Sequence, residues 1–288
     1  MHAFRSTRVR SLLLAGALSS VSVFTWAALP DSWTPDPTFP DFYQKDPKVL
    51  NGECACAPAA AVDSFFWLAS KYNLPKMATQ GGATWQDVTN TLEGANYMNT
   101  VNDGTTYSGS FAAGKTNYIK AADYADKISV ETRLGGSGAP PTLDWIKQQV
   151  VAGQDVEILV GQVKDGAAGD PAAWMGGHYV SVTGYDQDGN LKIADPWTQA
   201  GGNAENLPVG GTANTTLDFD ALGKAKDKYT QTYPKVKLGD GLFTDAGTYQ
   251  IVFAAFAESP VPEIGTWLMF VLGLGSIGAI HLKKGKGS

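Results

Sequence analysis

The sequence predicts an α+β fold, in which N-terminal helices pack on a C-terminal antiparallel sheet. Apolar residues recur at helical spacing in the first half of the chain and alternate as in strands in the second half. No repeat of solenoid length is present. The roughly 230 residues between the two chain ends suffice for one domain with its own core.

The N-terminal residues 1–27 are predicted to form a secretory signal peptide. Basic residues precede a short apolar run, which ends on small residues suited to cleavage. An uncleaved anchor is the alternative interpretation. Residues 28–46 are rich in Pro and Asp and predict an extended arm, and the main domain is expected over residues 47–257.

The two cysteines of the chain, Cys54 and Cys56, lie where a polar turn meets an apolar segment. Apolar spacing predicts an amphipathic helix from about Ala57, and Pro58 fits its first turn. Cys56 therefore lies at a helix N-terminus, where free N–H groups and the helix dipole favour a thiolate. A disulfide between the two cysteines would be strained. Cys54 is then a packing residue or, alternatively, a redox partner of Cys56.

The remaining elements follow from local patterns. Thr84 with Asp87 three residues later predicts a capped helix. Further helices are predicted over residues 115–127 and 140–150, and strands over residues 128–132, 156–163, 178–185, 191–194 and 248–256. Polar, glycine-containing segments predict surface loops over residues 96–109 and 198–215.

A turn is predicted over residues 186–190, so the strands on either side of it form a hairpin. Asp186-x-Asp188-Gly189 is similar to part of a calcium loop. It lacks the glutamate that such a loop needs downstream, so we expect a simple turn and no metal.

Of the three histidines, His2 leaves with the signal peptide and His281 lies in the C-terminal tail, so His178 is the one within the domain. A neutral imidazole can take the proton of a thiol near pH 7. The predicted hairpin brings Asp195 back beside His178, where a carboxylate can orient the ring. Taken singly, such residues are more often a core histidine and an Asp-Pro turn.

The block Cys56-Ala-Pro-Ala-Ala and the block Gly-His178-Tyr-Val-x-Val-x-Gly-Tyr-Asp, followed by Asp195-Pro, resemble papain-like cysteine peptidases of the bacteriocin-processing type. Those domains cleave leader peptides after a double glycine. The resemblance implies a papain-like α+β fold and a peptide or protein substrate. It also implies Cys56 as nucleophile, His178 as base and Asp195 as the orienting residue, and no cofactor is expected.

The chain departs from this family at the oxyanion hole. The family has a glutamine six residues before the nucleophile, where this chain has Leu50. Asn51 is the candidate donor one position on, and Gln44 lies further upstream. Without a donor the domain would be an inactive papain-like protein that binds peptide or exopolysaccharide on the surface or in the matrix, which is the alternative function.

Residues 258–288 resemble a PEP-CTERM sorting signal. A Pro-Glu pair precedes an apolar run over residues 264–282, which is long enough to span a membrane, and lysines follow it. The resemblance implies recognition by an exosortase, transient membrane insertion, and export to the cell surface or extracellular matrix of a Gram-negative bacterium. A permanent membrane anchor is the alternative.

The net charge of the chain is −6. Loss of the two ends would make it more negative, because their charged side chains are basic, namely Arg5, Arg8, Arg10, Lys283, Lys284 and Lys286. Binding to phosphate backbones requires a basic surface. Nucleic acid is therefore excluded as a partner.

Overall fold

The computed structural model describes residues 28–136, 139–166, 170–198, 205–219, 225–239 and 245–261. The predicted signal peptide and the predicted membrane helix of the tail lie outside these residues. Within the described ranges, every helix is too short or too polar to cross a bilayer.

Helices predominate in the first half of the chain and strands in the second, and β1 precedes the last helix. The helices are α1 Cys56–Lys71, α2 Lys76–Thr79, α3 Trp85–Glu93, α4 Thr100–Asp103, α5 Ser108–Ala121 and α6 Leu143–Val151. The strands are β1 Ile128–Leu134, β2 Asp155–Lys164, β3 Ala173–Tyr185, β4 Leu191–Ala194, β5 Glu205–Leu207, β6 Val209–Phe219, β7 Ala225–Val236 and β8 Thr248–Pro260. This order is that of the predicted α+β class.

The strands form one antiparallel sheet in the order β5-β4-β3-β2-β8-β7-β6, and β1 pairs with the far end of β8. Strands β2, β3 and β8 are buried over most of their length, so they form the centre of the domain. The predicted hairpin of β3 and β4 is present, with Ser181 opposite Ala194. Because Ser181 lies opposite Ala194, this register brings the residues just before Ser181 close to those just after Ala194.

Each face of the sheet carries its own core. On one face, Phe65 of α1 stacks on Tyr118 of α5 with ring centroids 4.7 Å apart, and Phe111 of α5 stacks on Tyr179 of β3 at 4.6 Å. On the other face, α6 packs its apolar side against strands β2, β3 and β4. Burial of these side chains holds α1 at a fixed position on the sheet.

The region predicted as a loop over residues 96–109 is more ordered than expected. It contains α4, and α5 begins at Ser108 rather than at residue 115. Helix α5 also ends at Ala121 instead of continuing to residue 127, because Asp123 adopts a left-handed backbone conformation with φ 68°. Gly114 lies inside α5, where an added Cβ would come within 2.6 Å of the Met98 side chain.

The loop predicted over residues 198–215 was also wrong in part. Strands β5 and β6 occupy its second half, and β6 pairs with β7, a strand that the sequence pattern did not indicate. These strands are rich in Thr, Asn and Lys, so they lack the apolar alternation by which the other strands were recognised. Threonine nevertheless favours strands through its branched Cβ.

The segment predicted as an arm, residues 28–46, lies along the domain. The Phe42 backbone N–H donates to Asp63 of α1 at 2.8 Å, and the Trp67 ring N–H donates to Asp36 at 3.0 Å. Phe39 is buried in the core. We call residues 28–46 the N-terminal strap. At the other end, β8 continues to Pro260, three residues past the predicted boundary at 257.

Candidate active site

Cys56 is the first residue of α1, as the helical pattern predicted. Its side chain is partly exposed, whereas the helix behind it is buried from Ala57 to Phe65. The sulfur accepts the backbone N–H groups of Ala57 and Tyr179. Two N–H donors and the positive end of a helix dipole surround this thiol, and both favour its ionised form.

His178 reaches the thiol from β3. Strand β4 pairs with β3 from Ser181 onward, and the sulfur lies beside the part of β3 that precedes this pairing. The His178 side chain is 3% exposed, and its imidazole lies close enough to Cys56 to lower the pKa of the thiol. The chain therefore brings nucleophile and imidazole together although 122 residue positions separate them in sequence.

Asp195 follows β4 directly and contacts the imidazole from its other side. The distance between His178 Nε2 and Asp195 Oδ1 is 2.6 Å, and the Trp197 backbone N–H donates to the same oxygen at 2.9 Å. Asp195 is 4% exposed. The Trp197 ring stands edge-on to the imidazole, with centroids 6.2 Å apart. Since Nε2 is used by Asp195, Nδ1 is the ring nitrogen left for the thiol.

The electrostatics of the three groups favour an ion pair. Burial acts to raise the pKa of Cys56, but the bonds from His178 and from the Tyr179 and Ala57 N–H groups outweigh it, so the pKa lies below its usual 9.0. Burial acts to lower the pKa of His178, but the bonds to Asp195 and Cys56 raise it to about 10. A thiolate beside an imidazolium is the state that this arrangement stabilises at neutral pH.

Two amide side chains lie in the segments near the thiol. The Asn51 amide nitrogen points to the carbonyl oxygen of Thr100, 3.5 Å away, and its predicted role as oxyanion donor stays a prediction. Gln44 is fully buried, and its amide donates to the Gly52 carbonyl oxygen at 2.7 Å. The Gln44 backbone N–H donates to Pro196, which follows Asp195, at 2.8 Å. Gln44 therefore links the segment before Cys56 to the segment that follows Asp195.

The family model of the Peptidase_C39 like family matches residues 38–227, which include the N-terminal strap from Thr38 onward and all three site residues. The chain belongs to the Peptidase_C39 like family. Together with the observed order of helices and antiparallel strands, this membership confirms the predicted α+β, papain-like fold.

Among solved structures, the chain matches xylellain, a cysteine protease from Xylella fastidiosa, at 15% identity. The match covers 62% of this chain and 79% of that chain, with a TM-score of 0.32. No curated protein matches the sequence.

The sequence of this Peptidase_C39 like chain offered two amide side chains before Cys56, and Asn51 was preferred to Gln44. Gln44 lies twelve positions before Cys56, whereas the family has its glutamine six positions before the nucleophile. The segment from Lys45 to Gly52 turns back on itself, so the Gln44 amide meets the Gly52 carbonyl. A glutamine on the upstream side of this turn is the signal that sequence inspection could have used.

Cys54 is a free thiol, as is Cys56. Burial raises the pKa of Cys54, and the charges of Cys56 and Glu53 act in the same direction. Cys54 is therefore less nucleophilic than Cys56 at neutral pH.

A second cluster of charged groups lies inside the domain, away from the thiol. Asp155, Glu157 and Glu258 each offer a carboxylate oxygen within 4.8 Å of the others, a spacing that could hold a metal ion. The Lys115 ammonium already contacts Glu157, and it lies 2.5 Å from Glu258 and 3.8 Å from Asp155. We call these four residues the buried charge cluster. Its lysine supplies the cation, so the site chemistry requires no metal there.

Proposed function

We propose that this chain is a cysteine peptidase, or a related amide hydrolase, with Cys56 as nucleophile, His178 as general base and acid, and Asp195 as the orienting residue. The observation that carries the proposal is that one buried imidazole lies beside the Cys56 thiol, whose pKa it lowers, and makes a 2.6 Å hydrogen bond with the carboxylate of Asp195. Membership of a peptidase family supports it.

In the proposed mechanism, the Cys56 thiolate attacks the carbonyl carbon of the scissile amide and forms a tetrahedral intermediate. The His178 imidazolium gives its proton to the leaving amine, and the C–N bond breaks to leave a thioester on Cys56. The imidazole then takes a proton from water, whose oxygen attacks the thioester and releases the acid and the thiolate. Asp195 holds the ring in one orientation throughout.

We assign the oxyanion hole to the Gln44 amide and the backbone N–H of Cys56. The buried position of Gln44 between Gly52 and Pro196 supports this assignment. Removal of one such donor costs about two to three orders of magnitude in kcat. Gln44→Ala is expected to show this loss, and Asn51→Ala is the matched control. A larger loss for Asn51→Ala would reverse the assignment in favour of the sequence prediction.

The test of the triad uses alkylation of the native protein by iodoacetamide in a Cys54→Ser background, which leaves one thiol. We expect rapid labelling of Cys56 near pH 7 and much slower labelling after His178→Ala. Hydrolysis of a peptide library should disappear in Cys56→Ala. Equal labelling rates with and without His178 would contradict the proposal and would favour the alternative of an inactive protein that binds peptide or exopolysaccharide.

The proposal extends to export and sorting. Residues 1–27 have the pattern of a signal peptide and residues 258–288 that of a PEP-CTERM tail, with a membrane-length apolar run over residues 264–282. We expect an exosortase to remove the tail and release the domain to the cell surface or matrix. The intact mass of the protein from cell-free medium tests both cleavages, and a mass that retains residues 264–282 would contradict sorting.

A further inference from the structure

Two free thiols, separated by one residue, lie at the start of α1. Cys54 and Cys56 are both free and both partly exposed. Cys54 belongs to a turn in which its backbone N–H donates to the Asn51 carbonyl at 2.7 Å, and this turn runs directly into the helix. Cys54 takes no part in the proposed mechanism, so its position beside the nucleophile calls for a separate explanation.

Packing does not account for Cys54. Within the described parts of the chain, Cys56 packs against the larger of the two hydrophobic cores, whereas Cys54 belongs to neither core nor to the side chains packed against them. Of the two interpretations that the sequence allowed for Cys54, packing is therefore disfavoured by the structure. The interpretation as a redox partner of Cys56 fits the observed position.

The backbone between the two cysteines allows a disulfide. Ala55, the residue between them, has φ −83° and ψ 11°, as in a tight turn. Residues two positions apart in a helical turn have Cα atoms about 5.4 Å apart. This spacing lies inside the roughly 4.4–6.8 Å over which disulfides form. A ring that closes over a single residue is strained, and strained disulfides are the easily reduced, regulatory ones.

The surroundings of the two thiols give them different reactivity. Burial acts against ionisation of Cys56, but the imidazole of His178 and two backbone N–H groups lower the pKa of this thiol below its usual value. Burial raises the pKa of Cys54, and the charges of Cys56 and of two nearby glutamates, Glu53 and Glu93, act in the same direction. Oxidants attack an accessible thiolate first, and redox-sensing cysteines are often placed next to a second, resolving cysteine.

We infer that Cys54 is a resolving cysteine, which forms a reversible disulfide with Cys56 after a peroxide has oxidised the nucleophile. This inference rests on the proposed function, because it concerns regulation of the thiolate which that function uses. A disulfide would occupy the Cys56 sulfur and stop catalysis. It would also protect this sulfur from irreversible oxidation to sulfinic acid.

The chemistry takes two steps. The Cys56 thiolate attacks one oxygen of hydrogen peroxide, the O–O bond breaks, and Cys56 becomes a sulfenic acid while hydroxide leaves. The Cys54 sulfur then attacks the Cys56 sulfur, the S–O bond breaks, and the hydroxyl group leaves with the Cys54 proton as water. The two sulfurs have then lost two electrons to the peroxide, and a dithiol reductant can return them.

The experiment treats the reduced full-length protein, Cys54→Ser and Cys56→Ser with hydrogen peroxide near pH 7 and follows intact mass and iodoacetamide labelling. The wild type should lose the mass of two hydrogen atoms, stop labelling at Cys56, and recover this labelling when dithiothreitol is added. Cys54→Ser should label at the wild-type rate before oxidation. After oxidation it should gain oxygen atoms and lose labelling permanently, because sulfinic acid resists such reduction. Cys56→Ser is the matched control and should keep its mass, because Cys54 alone is a protonated thiol.

The outcomes separate this inference from the proposed function. Addition of oxygen to wild-type Cys56 as fast as in Cys54→Ser, or a disulfide between two chains, would overturn the inference. So would oxidation of Cys56→Ser as fast as that of Cys54→Ser. In each of these cases, labelling of the reduced protein that depends on His178 leaves the peptidase proposal standing. If that labelling does not depend on His178, the proposed function has failed and the inference fails with it.

Discussion

Substitution of Lys115 by Met removes the cation of the buried charge cluster and keeps the length of the side chain. Lys115, Glu157 and Glu258 are fully buried, and Asp155 is 1% exposed. The ammonium contacts two of the carboxylates directly. Removing one partner of a buried ion pair costs about 3–5 kcal/mol, because the remaining charges lose their compensation. We expect a loss of this size in the free energy of unfolding at pH 8.

The loss should depend on pH. Burial raises the pKa of Glu157 to about 8 and the pKa of Asp155 well above its usual range. The neighbouring carboxylates raise both pKa values further, whereas the Lys115 ammonium lowers them. The folded protein therefore holds protons that the unfolded chain releases above about pH 4.5, so stability falls as pH rises toward 8. Without Lys115 these carboxyl groups bind their protons more tightly. The free energy of unfolding should then fall more steeply as pH rises.

Urea unfolding of wild type, Lys115→Met and Lys120→Met at pH 5 and pH 8 tests both points. Lys120 is an exposed lysine of the same helix, so its substitution is the matched control and should change stability by less than about 0.5 kcal/mol. The double variant with Glu157→Gln should recover part of the loss. Equal stability of Lys115→Met and Lys120→Met at pH 8 would contradict the prediction, because it would mean that Lys115 does not compensate buried carboxylate charge.

Three further predictions concern the site and its support. Asp195→Asn keeps an acceptor for the imidazole but removes its charge, so the alkaline limb of kcat/KM, expected near pH 10 from His178, should move to lower pH. The rate of Cys56 alkylation should reach its plateau below pH 9, because the pKa of this thiol is lowered. An alkylation rate that still rises with a midpoint near pH 9 would contradict the ion pair. Gly161→Ala should destabilise the domain by about 1–3 kcal/mol and change the near-UV signal of Trp174, because the added Cβ would lie 2.1 Å from that ring.

Local patterns were sufficient for the parts of the site that lie on regular elements. Cys56 stands one residue before an apolar stripe, and Pro58 marks the first turn, so the helix start was evident from a short window of sequence. The hairpin that carries His178 and Asp195 was equally local, since seventeen positions separate them and one turn joins their strands. These predictions needed no knowledge of long-range contacts.

Features formed by contacts between distant segments were not predictable in this way. Lys115 appeared to be a polar position near the start of a helix, yet it lies in mid-helix and its partners are on strands up to 143 positions away. Strand β7 has no apolar alternation, and it is a strand because β6 and β8 provide partners for its backbone. Tertiary context decides such cases over local propensity.

The N-terminal strap carries Gln44, the oxyanion donor that we propose, and lies before the predicted start of the domain at residue 47. Phe42 bonds Asp63 on the helix of the nucleophile, and two positions later Gln44 bonds Pro196 beside the orienting Asp195. The strap thus links the two halves of the site through adjacent backbone groups and places the Gln44 amide between them. A break in this link would displace the Gln44 amide, whereas core packing would still hold α1 and Cys56 on the sheet. Residues 28–46 are therefore part of the site that we propose and cannot be treated as a linker.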